Sequence, residues 1–386
     1  MAGRAAARQG FCRIAPGGGL RYGRSMTAPR LAIIGTVGLP PRYGGFETLA
    51  DALVRGAEAR GIADRVTVYC DPSRDRHNPP DRYRGARLVH APVRANGAQS
   101  LIHDAWSLGH ATRSGASVAL VLGVPVGLTL PWLRKPGGPR VVVHPDGIEW
   151  RRAKWNMAQR ALLKLCEGRA VRHADGVIAD NPAIARHLSD TYGVQSTCIP
   201  YGGDPLDDVA PADIADLNLP GAYALAMARA EPENNLALIL DAFARHPDRP
   251  LVVLSNWGAT REGRRLRALD LPPHIHRVDA IYDPARLAAI RARATCHIHG
   301  HSAGGTNPAL VEAMWTGLPV AVFDCSFNRE TTDGIAPVFR DAGSLGALLG
   351  DLAADTTLGP RLAALARDRY GWDRVTTAYF EALGFH

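Results

Sequence analysis

From Arg30 onward, short apolar runs of strand length alternate with amphipathic helical stretches, which predicts a doubly wound α/β protein. The alternation breaks at residues 201–221, where Gly, Pro and Asp crowd together without periodicity, and then restarts. With 386 residues, 46% of them hydrophobic, there is apolar surface for two cores. The expectation is therefore two Rossmann-like domains facing a cleft, with ligand sites at the carboxyl ends of the strands.

The elements follow in order. Residues 1–28 are rich in Gly, Ala and Arg, lack the apolar run of a signal peptide, and read as an extension, with Met26 as an alternative start. Residues 29–200 form the first domain. Its strands are expected at Leu31–Gly35, Val66–Cys70, Leu88–Ala91, Val118–Leu122, Val141–His144, Val177–Asp180 and Thr197–Pro200. A helix from Phe46 to about Arg60 places Phe46, Leu49, Ala50, Leu53, Val54 and Ala57 on one face. Ser114–Leu133 has no charge and is long enough to span a bilayer, but its Gly and Pro residues favour a strand, a turn and a short helix.

Residues 201–221 are the linker, and residues 222–370 the second domain. Strands are expected there at Tyr223–Ala228, Leu251–Ser255, Cys296–His299 and Val320–Phe323, with helices at Leu236–Ala244 and Pro308–Thr316. Residues 371–386 contain a last helix, Trp372–Leu383, expected to pack across the two domains through Val375, Tyr379 and Leu383.

Charge divides the chain. Residues 30–200 hold 23 basic and 14 acidic side chains, and residues 201–386 hold 17 and 23. This asymmetry predicts an anionic partner on the N-terminal side. It is too weak, with 6% aromatic residues, for a nucleic-acid footprint. Six cysteines without regular spacing argue against a disulfide framework and for a reducing, cytoplasmic compartment.

Four motifs carry chemistry. The run from Gly35 to Thr48 is a glycine-rich turn whose Gly44-Gly45 opens a helix; backbone amides there can receive an anion. It lacks the residues of a P-loop, and a plain strand-to-helix turn explains it equally well. In the second, Arg229 stands between a strand and a helix, where it suits a pyrophosphate; pairing with Glu231 or Glu233 is the alternative. Third, Asn307 as N-cap and Pro308 open a helix after Gly304-Gly305-Thr306, one turn before Glu312, whose carboxylate could grip a ribose diol or merely complement the helix dipole. His297, His299 and His301 could share a strand face, although the turn at Gly300 argues against a metal site. In the fourth, His144 and Asp146 end a strand beside the cleft and could polarise a substrate. The basic stretch Arg151–His173 that follows reads as a helix suited to an anionic interface, or as a solvated face.

Taken in order, Arg42-Tyr-Gly-Gly-Phe-Glu-Thr, Asp146-Gly-Ile-Glu-Trp, Glu231-Pro-Glu-Asn-Asn and Gly300-His-Ser-Ala-Gly-Gly-Thr-Asn-Pro resemble glycosyltransferase family 4. The closest likeness is to its bacterial rhamnosyltransferase branch of capsule and exopolysaccharide synthesis, over nearly all of residues 30–386. The resemblance implies a GT-B fold and a retaining, metal-independent transfer; the chain contains no D-x-D triplet, and no cofactor or metal is expected. It implies a donor site of Gly44, Gly45, Arg229, Asn234, Asn235, His301, Gly304, Gly305, Thr306, Asn307 and Glu312. The acceptor side would comprise Glu47, His144, Asp146, Glu149, Trp150 and Lys154, with Asp146, Arg229 and Glu312 closest to the chemistry. Two departures stand out. The family's first paired glutamate falls on Gly304, and the lysine five residues after its phosphate arginine is Asn234.

The resulting expectation is a transfer of L-rhamnose or a similar hexose from a nucleotide-sugar, dTDP-rhamnose favoured, to a lipid-linked saccharide. The protein would be cytoplasmic and peripheral on the inner membrane face, and would not bind nucleic acid. A nucleotide-sugar epimerase on the same fold, or a non-catalytic membrane-surface subunit of a polysaccharide complex, are the alternatives.

Overall fold

The computed structural model describes residues 28–41, 44–72, 80–152, 155–204 and 209–385. The extension 1–27, Arg42 and Lys154 lie outside these described residues, together with the calls made on them. The first domain runs β1 (Leu31–Ile34), α1 (Gly45–Ala59), β2 (Val66–Cys70), β3 (Arg82–Tyr83), β4 (Ala86–His90), α2 (Ser100–Arg113), β5 (Val118–Leu122) and α3 (Leu130–Leu133). It continues with β6 (Arg140–His144), α4 (Met157–His173), β7 (Gly176–Ala179), α5 (Pro182–Tyr192) and β8 (Thr197–Cys198). Its sheet order is β3-β4-β2-β1-β5-β6-β7-β8, parallel except for β3 against β4.

The second domain comprises β9 (Tyr223–Met227), α6 (Leu236–Ala244), β10 (Leu251–Ser255), α7 (Arg261–Arg267), β11 (Ile275–Asp279), α8 (Pro284–Ala292) and β12 (Ala294–His299). After these come α9 (Pro308–Trp315), β13 (Val320–Phe323), α10 (Ser326–Thr331), β14 (Val338–Phe339), α11 (Ala342–Ala354) and α12 (Leu358–Arg369). Its six strands are parallel, in the order β11-β10-β9-β12-β13-β14. In both sheets the strand order reverses beside the first strand, at β1/β5 and at β9/β12. Crevices open at such points, at the carboxyl ends of the strands.

The apolar runs have a simple cause. Leu31 and Ile33 face one core and Ala32 and Ile34 another, so the strand is covered on both sides and carries no polar alternation. Tyr223 and Leu225 against Ala224 and Ala226 repeat this in the second domain. β11 escaped the sequence reading because it is an edge strand, with His276, Arg277 and Asp279 breaking the apolar run. The uncharged stretch 114–133 resolves into β5, a 3₁₀ turn at Pro125–Leu128 and α3. Among the described residues no helix is long and apolar enough to cross a membrane. The basic helix starts six residues later than expected, at Met157, behind a capping box made by Asn156 and Gln159.

The final helix, α13 (Trp372–Leu383), belongs to the first domain's core rather than lying evenly across both. Trp372, Val375, Tyr379, Phe380 and Leu383 bury against the α1 side of the sheet, and Arg140 Nη1 donates to the Ala382 carbonyl at 2.9 Å. The chain therefore crosses between domains twice. The crossings touch where Gly203 N–H donates to the Tyr370 carbonyl at 2.7 Å and Tyr201 packs edge-on against Trp372.

Candidate functional site: facing loops at the strand ends

The loops that follow β6 and β7 in the first domain meet those that follow β9 and β12 in the second. In the second domain the two loops are stitched together. Asn235 Nδ2 donates to the Gly300 carbonyl, and Ser302 donates through N and Oγ to the Glu233 carbonyl, at 2.8–2.9 Å. Asn234 is buried, with Nδ2 donating to the Arg229 carbonyl at 2.8 Å and Oδ1 facing His301 Nδ1 at 2.7 Å. Because that amide oxygen is an acceptor, His301 carries its proton on Nδ1 and leaves Nε2 as a lone-pair acceptor beside Gly304. Burial holds the His301 imidazole well below its usual range, so it is neutral. Asn234 and Asn235, expected at the donor, thus clamp the loops with their side chains.

Asn307 caps α9 as expected, accepting from Ala309 N–H at 2.9 Å, with Pro308 behind it. The first domain reaches this helix start directly. Thr306 N–H donates to Asp180 Oδ2 at 3.1 Å, and the Thr306 hydroxyl donates to the Asp180 carbonyl. A Cβ on Gly305 would lie 1.9 Å from Asp180 Oδ1, so the glycine makes room for an anion's oxygens. Gly147, at φ 59, packs its Cα side onto Gly304, where an added Cβ would come within 2.7 Å of the opposing backbone. Burial, and then the nearby charge of Asp146, push the Asp180 carboxyl up to about 7. Sequence reasoning missed Asp180. Its signal was position alone: a carboxylate directly after a buried strand, at the carboxyl edge of the sheet.

Arg229 is exposed and only loosely paired, with Nη1 3.8 Å from Glu231 Oε1, leaving its guanidinium open to a ligand. Asp146 is exposed at the same mouth, with Oδ2 3.7 Å from Arg152 Nη2. Arg152 was expected on a basic surface helix. Instead it is buried between the domains, also contacting Glu149 at 2.8 Å, and the charges of Glu233 and Glu231 favour its cationic form. His144 is buried at the end of β6, edge-on to Phe46, and burial lowers it to about 4. Its Nδ1 lies 3.5 Å from the Tyr379 hydroxyl of α13, and among the described residues its Nε2 has no hydrogen-bond partner.

Several of the expected site residues already have partners within the protein. Glu47 is buried in the first turn of α1, and its Oε1 accepts the Val37 N–H at 2.7 Å, tying the glycine-rich loop to the helix that Gly44 and Gly45 open. Glu149 Oε1 accepts from Trp155 Nε1 at 3.0 Å. Trp150 donates to Glu167 at 3.2 Å and lies under Arg151 and Lys164, so it braces α4. Glu312 is half-exposed and pairs with Arg291 at 2.5 Å. His297, His299 and His301 do share one side, with successive ring centroids 6.2 and 6.1 Å apart, but all three are buried and held far below their usual range. Among the described residues no group of three or more His, Cys, Asp or Glu is arranged around a metal position. A cavity of about 470 Å³ lies away from the cleft, beside Leu108, Arg134 and Asp175.

Residues 29–204 match a family described as a domain of unknown function, DUF1972. No curated protein sequence matches the chain. Among solved structures, sucrose-phosphate synthase from Thermosynechococcus elongatus is similar with a TM-score of 0.77 at 18% identity, over 92% of this chain and 98% of that one. HepE of Anabaena, solved in complex with UDP and glucose, is similar with a TM-score of 0.66 at 14% identity, over 92% and 99%. A glycosyltransferase from Rickettsia africae follows with 0.64 at 12% identity, over 93% and 100%. These likenesses extend across both domains and identify the architecture as the GT-B fold.

Proposed function

We propose that the protein is a nucleotide-sugar-dependent glycosyltransferase that moves L-rhamnose, or a similar hexose, to a lipid-linked saccharide with retention and without a metal ion. The observation that carries this reading is the start of α9. Its amide already holds a carboxylate, Gly305 leaves the space that anionic oxygens need, and the Arg229 guanidinium stands at the same mouth. A helix N-terminus and a nearby guanidinium together suit a diphosphate. As the bond to the sugar breaks, they would stabilise the charge that develops on the departing phosphate. Donor entry then displaces Asp180 from Thr306 and parts Gly147 from Gly304. Glu312 would hold the ribose while sharing Arg291, and Asp146 and neutral His144 would line the acceptor side. The GT-B fold and the UDP and glucose recorded with HepE are consistent with such a donor.

A lipid-linked acceptor is supported by the outer surface of the first domain. Trp132 of α3 is 72% exposed, and Met157, Leu162 and Leu165 of α4 are 84%, 50% and 51% exposed. Arg169 lies 5.2 Å from the Trp132 ring, on the same surface. Apolar side chains standing among cations fit an anionic bilayer surface better than bulk water.

The test is transfer of labelled rhamnose from dTDP-rhamnose, and of glucose from UDP-glucose, to an isoprenoid-diphosphate saccharide in EDTA. Undiminished transfer in EDTA supports the reading. Loss restored by Mg²⁺ or Mn²⁺ contradicts the metal-free mechanism, and donor conversion without any acceptor favours an epimerase.

A further inference from the structure

Glu233 is 6% exposed, and among the described residues neither of its carboxylate oxygens receives a hydrogen bond from a nitrogen or hydroxyl donor of another residue. Buried carboxylates without donors are costly, and they persist where a ligand supplies the missing partners. Glu231 Oε2, close by, also has no donor. Burial, and then a hydrogen bond with Glu231 and its charge, push the Glu233 carboxyl above its ordinary range, while its own backbone N–H and the charge of Arg152 of the facing domain oppose this. Arg152 reaches Glu233 through its charge alone, since its guanidinium pairs with Glu149 at 2.8 Å and lies 3.7 Å from Asp146.

The position of this pair is informative. The Glu233 backbone carbonyl is held by Ser302, two residues before Gly304, so the carboxylate's loop is pinned to the loop in which Gly304 stands at the position of the family's first paired glutamate. Phosphate is a poor occupant beside two carboxylates. Arg229, on the other arm of the loop, offers it a better place. What a pair of unsatisfied acceptors takes is a neutral molecule rich in O–H donors.

We propose that Glu233 recognises the donor's hexose, its carboxylate accepting hydrogen bonds from sugar hydroxyls. This rests on the glycosyltransferase reading above. The carboxylate becomes accessible when the loop carrying Gly147 and Arg152 lifts from the second domain, and closure over bound donor returns Arg152 to the sugar's rim.

The experiment is calorimetric titration of the wild type, Glu233→Gln and Glu233→Ala with dTDP-rhamnose and UDP-glucose, and separately with dTDP and UDP. Expected is a wild type that binds one sugar nucleotide more tightly than its diphosphate, and variants that lose roughly 10–100-fold of that affinity while binding the diphosphate as before. Glu233→Gln should also melt above the wild type, since it removes a buried unpartnered charge; a purely structural glutamate would melt below it. Unchanged sugar-nucleotide affinity in both variants overturns the proposal alone. An equal fall for sugar nucleotide and diphosphate also overturns it, assigning Glu233 to the loop or the phosphates. A wild type that binds none of the four compounds overturns both this proposal and the reading beneath it.

Discussion

Asp180 shows how a single side chain can be decided by what stands opposite it. The residue closes β7, yet its carboxylate is engaged by Thr306 of the other domain and lies near a second carboxylate, Asp146. Its proton is held more tightly in the folded chain, at about 7, than the ordinary 3.8. A raised carboxyl pKa favours folding where the group is protonated in both states, below about pH 4; that advantage is lost as pH rises toward 7. Asp180→Asn keeps an acceptor for the Thr306 N–H and removes the charge. The variant should therefore be more stable than the wild type at pH 8, by roughly 2–4 kcal/mol at most, with the difference shrinking toward pH 4.5. Urea unfolding of both proteins at the two pH values checks this, and a difference that does not change with pH would remove the electrostatic account of this contact.

At the scale of elements, α4 and α13 do opposite things with their apolar residues. α13 buries Trp372, Tyr379 and Phe380 in the first domain's core and brings the Tyr379 hydroxyl toward His144, so the end of the sequence helps to build the cleft wall. α4 buries Cys166, Ala170 and Val171 but leaves Met157, Leu162 and Leu165 outside, and its Arg169 lies over Trp132 of α3. Those exposed groups, with Lys164, Arg169 and Arg172, predict salt-sensitive binding to vesicles containing anionic lipid. Trp132→Ala and Leu165→Glu together should weaken it at every salt concentration. Flotation is the measurement. Association that survives high salt and yields only to detergent contradicts a peripheral contact, and no association at low salt returns the face to bulk solvent.

For the whole molecule, the architecture was legible because both sheets are buried on both faces. Buried parallel strands need unbroken apolar runs, and β2, β5, β10 and β13 stand where those runs lie. The short edge strands β3 and β14 have two residues each and no periodicity to read. Local chemistry was equally legible where it is local, as in the Asn307 cap and the Pro308 start of α9. What the sequence does not announce is contact across the cleft. Arg152 reads as one more basic residue before a basic helix, and Asp180 as the end of a strand; their roles arise from loops of the other domain, far away in the sequence. Nor does the sequence announce that Glu47 and Trp150, conspicuous residues in conspicuous motifs, also hold their own loops in place.

The claim on which the rest depends is that the cleft takes the diphosphate of a nucleotide-sugar at Arg229 and the start of α9. A ligand that binds the folded state raises its melting temperature, by mass action. The direct measurement is thermal unfolding of the wild type and Arg229→Ala against dTDP-rhamnose, UDP-glucose and related nucleotide-sugars, all in EDTA. The prediction is a concentration-dependent rise for at least one of them in the wild type, reduced by roughly 10-fold or more in apparent affinity when the guanidinium is removed. A wild type that no nucleotide-sugar stabilises, or an Arg229→Ala variant stabilised as well as the wild type, would contradict it.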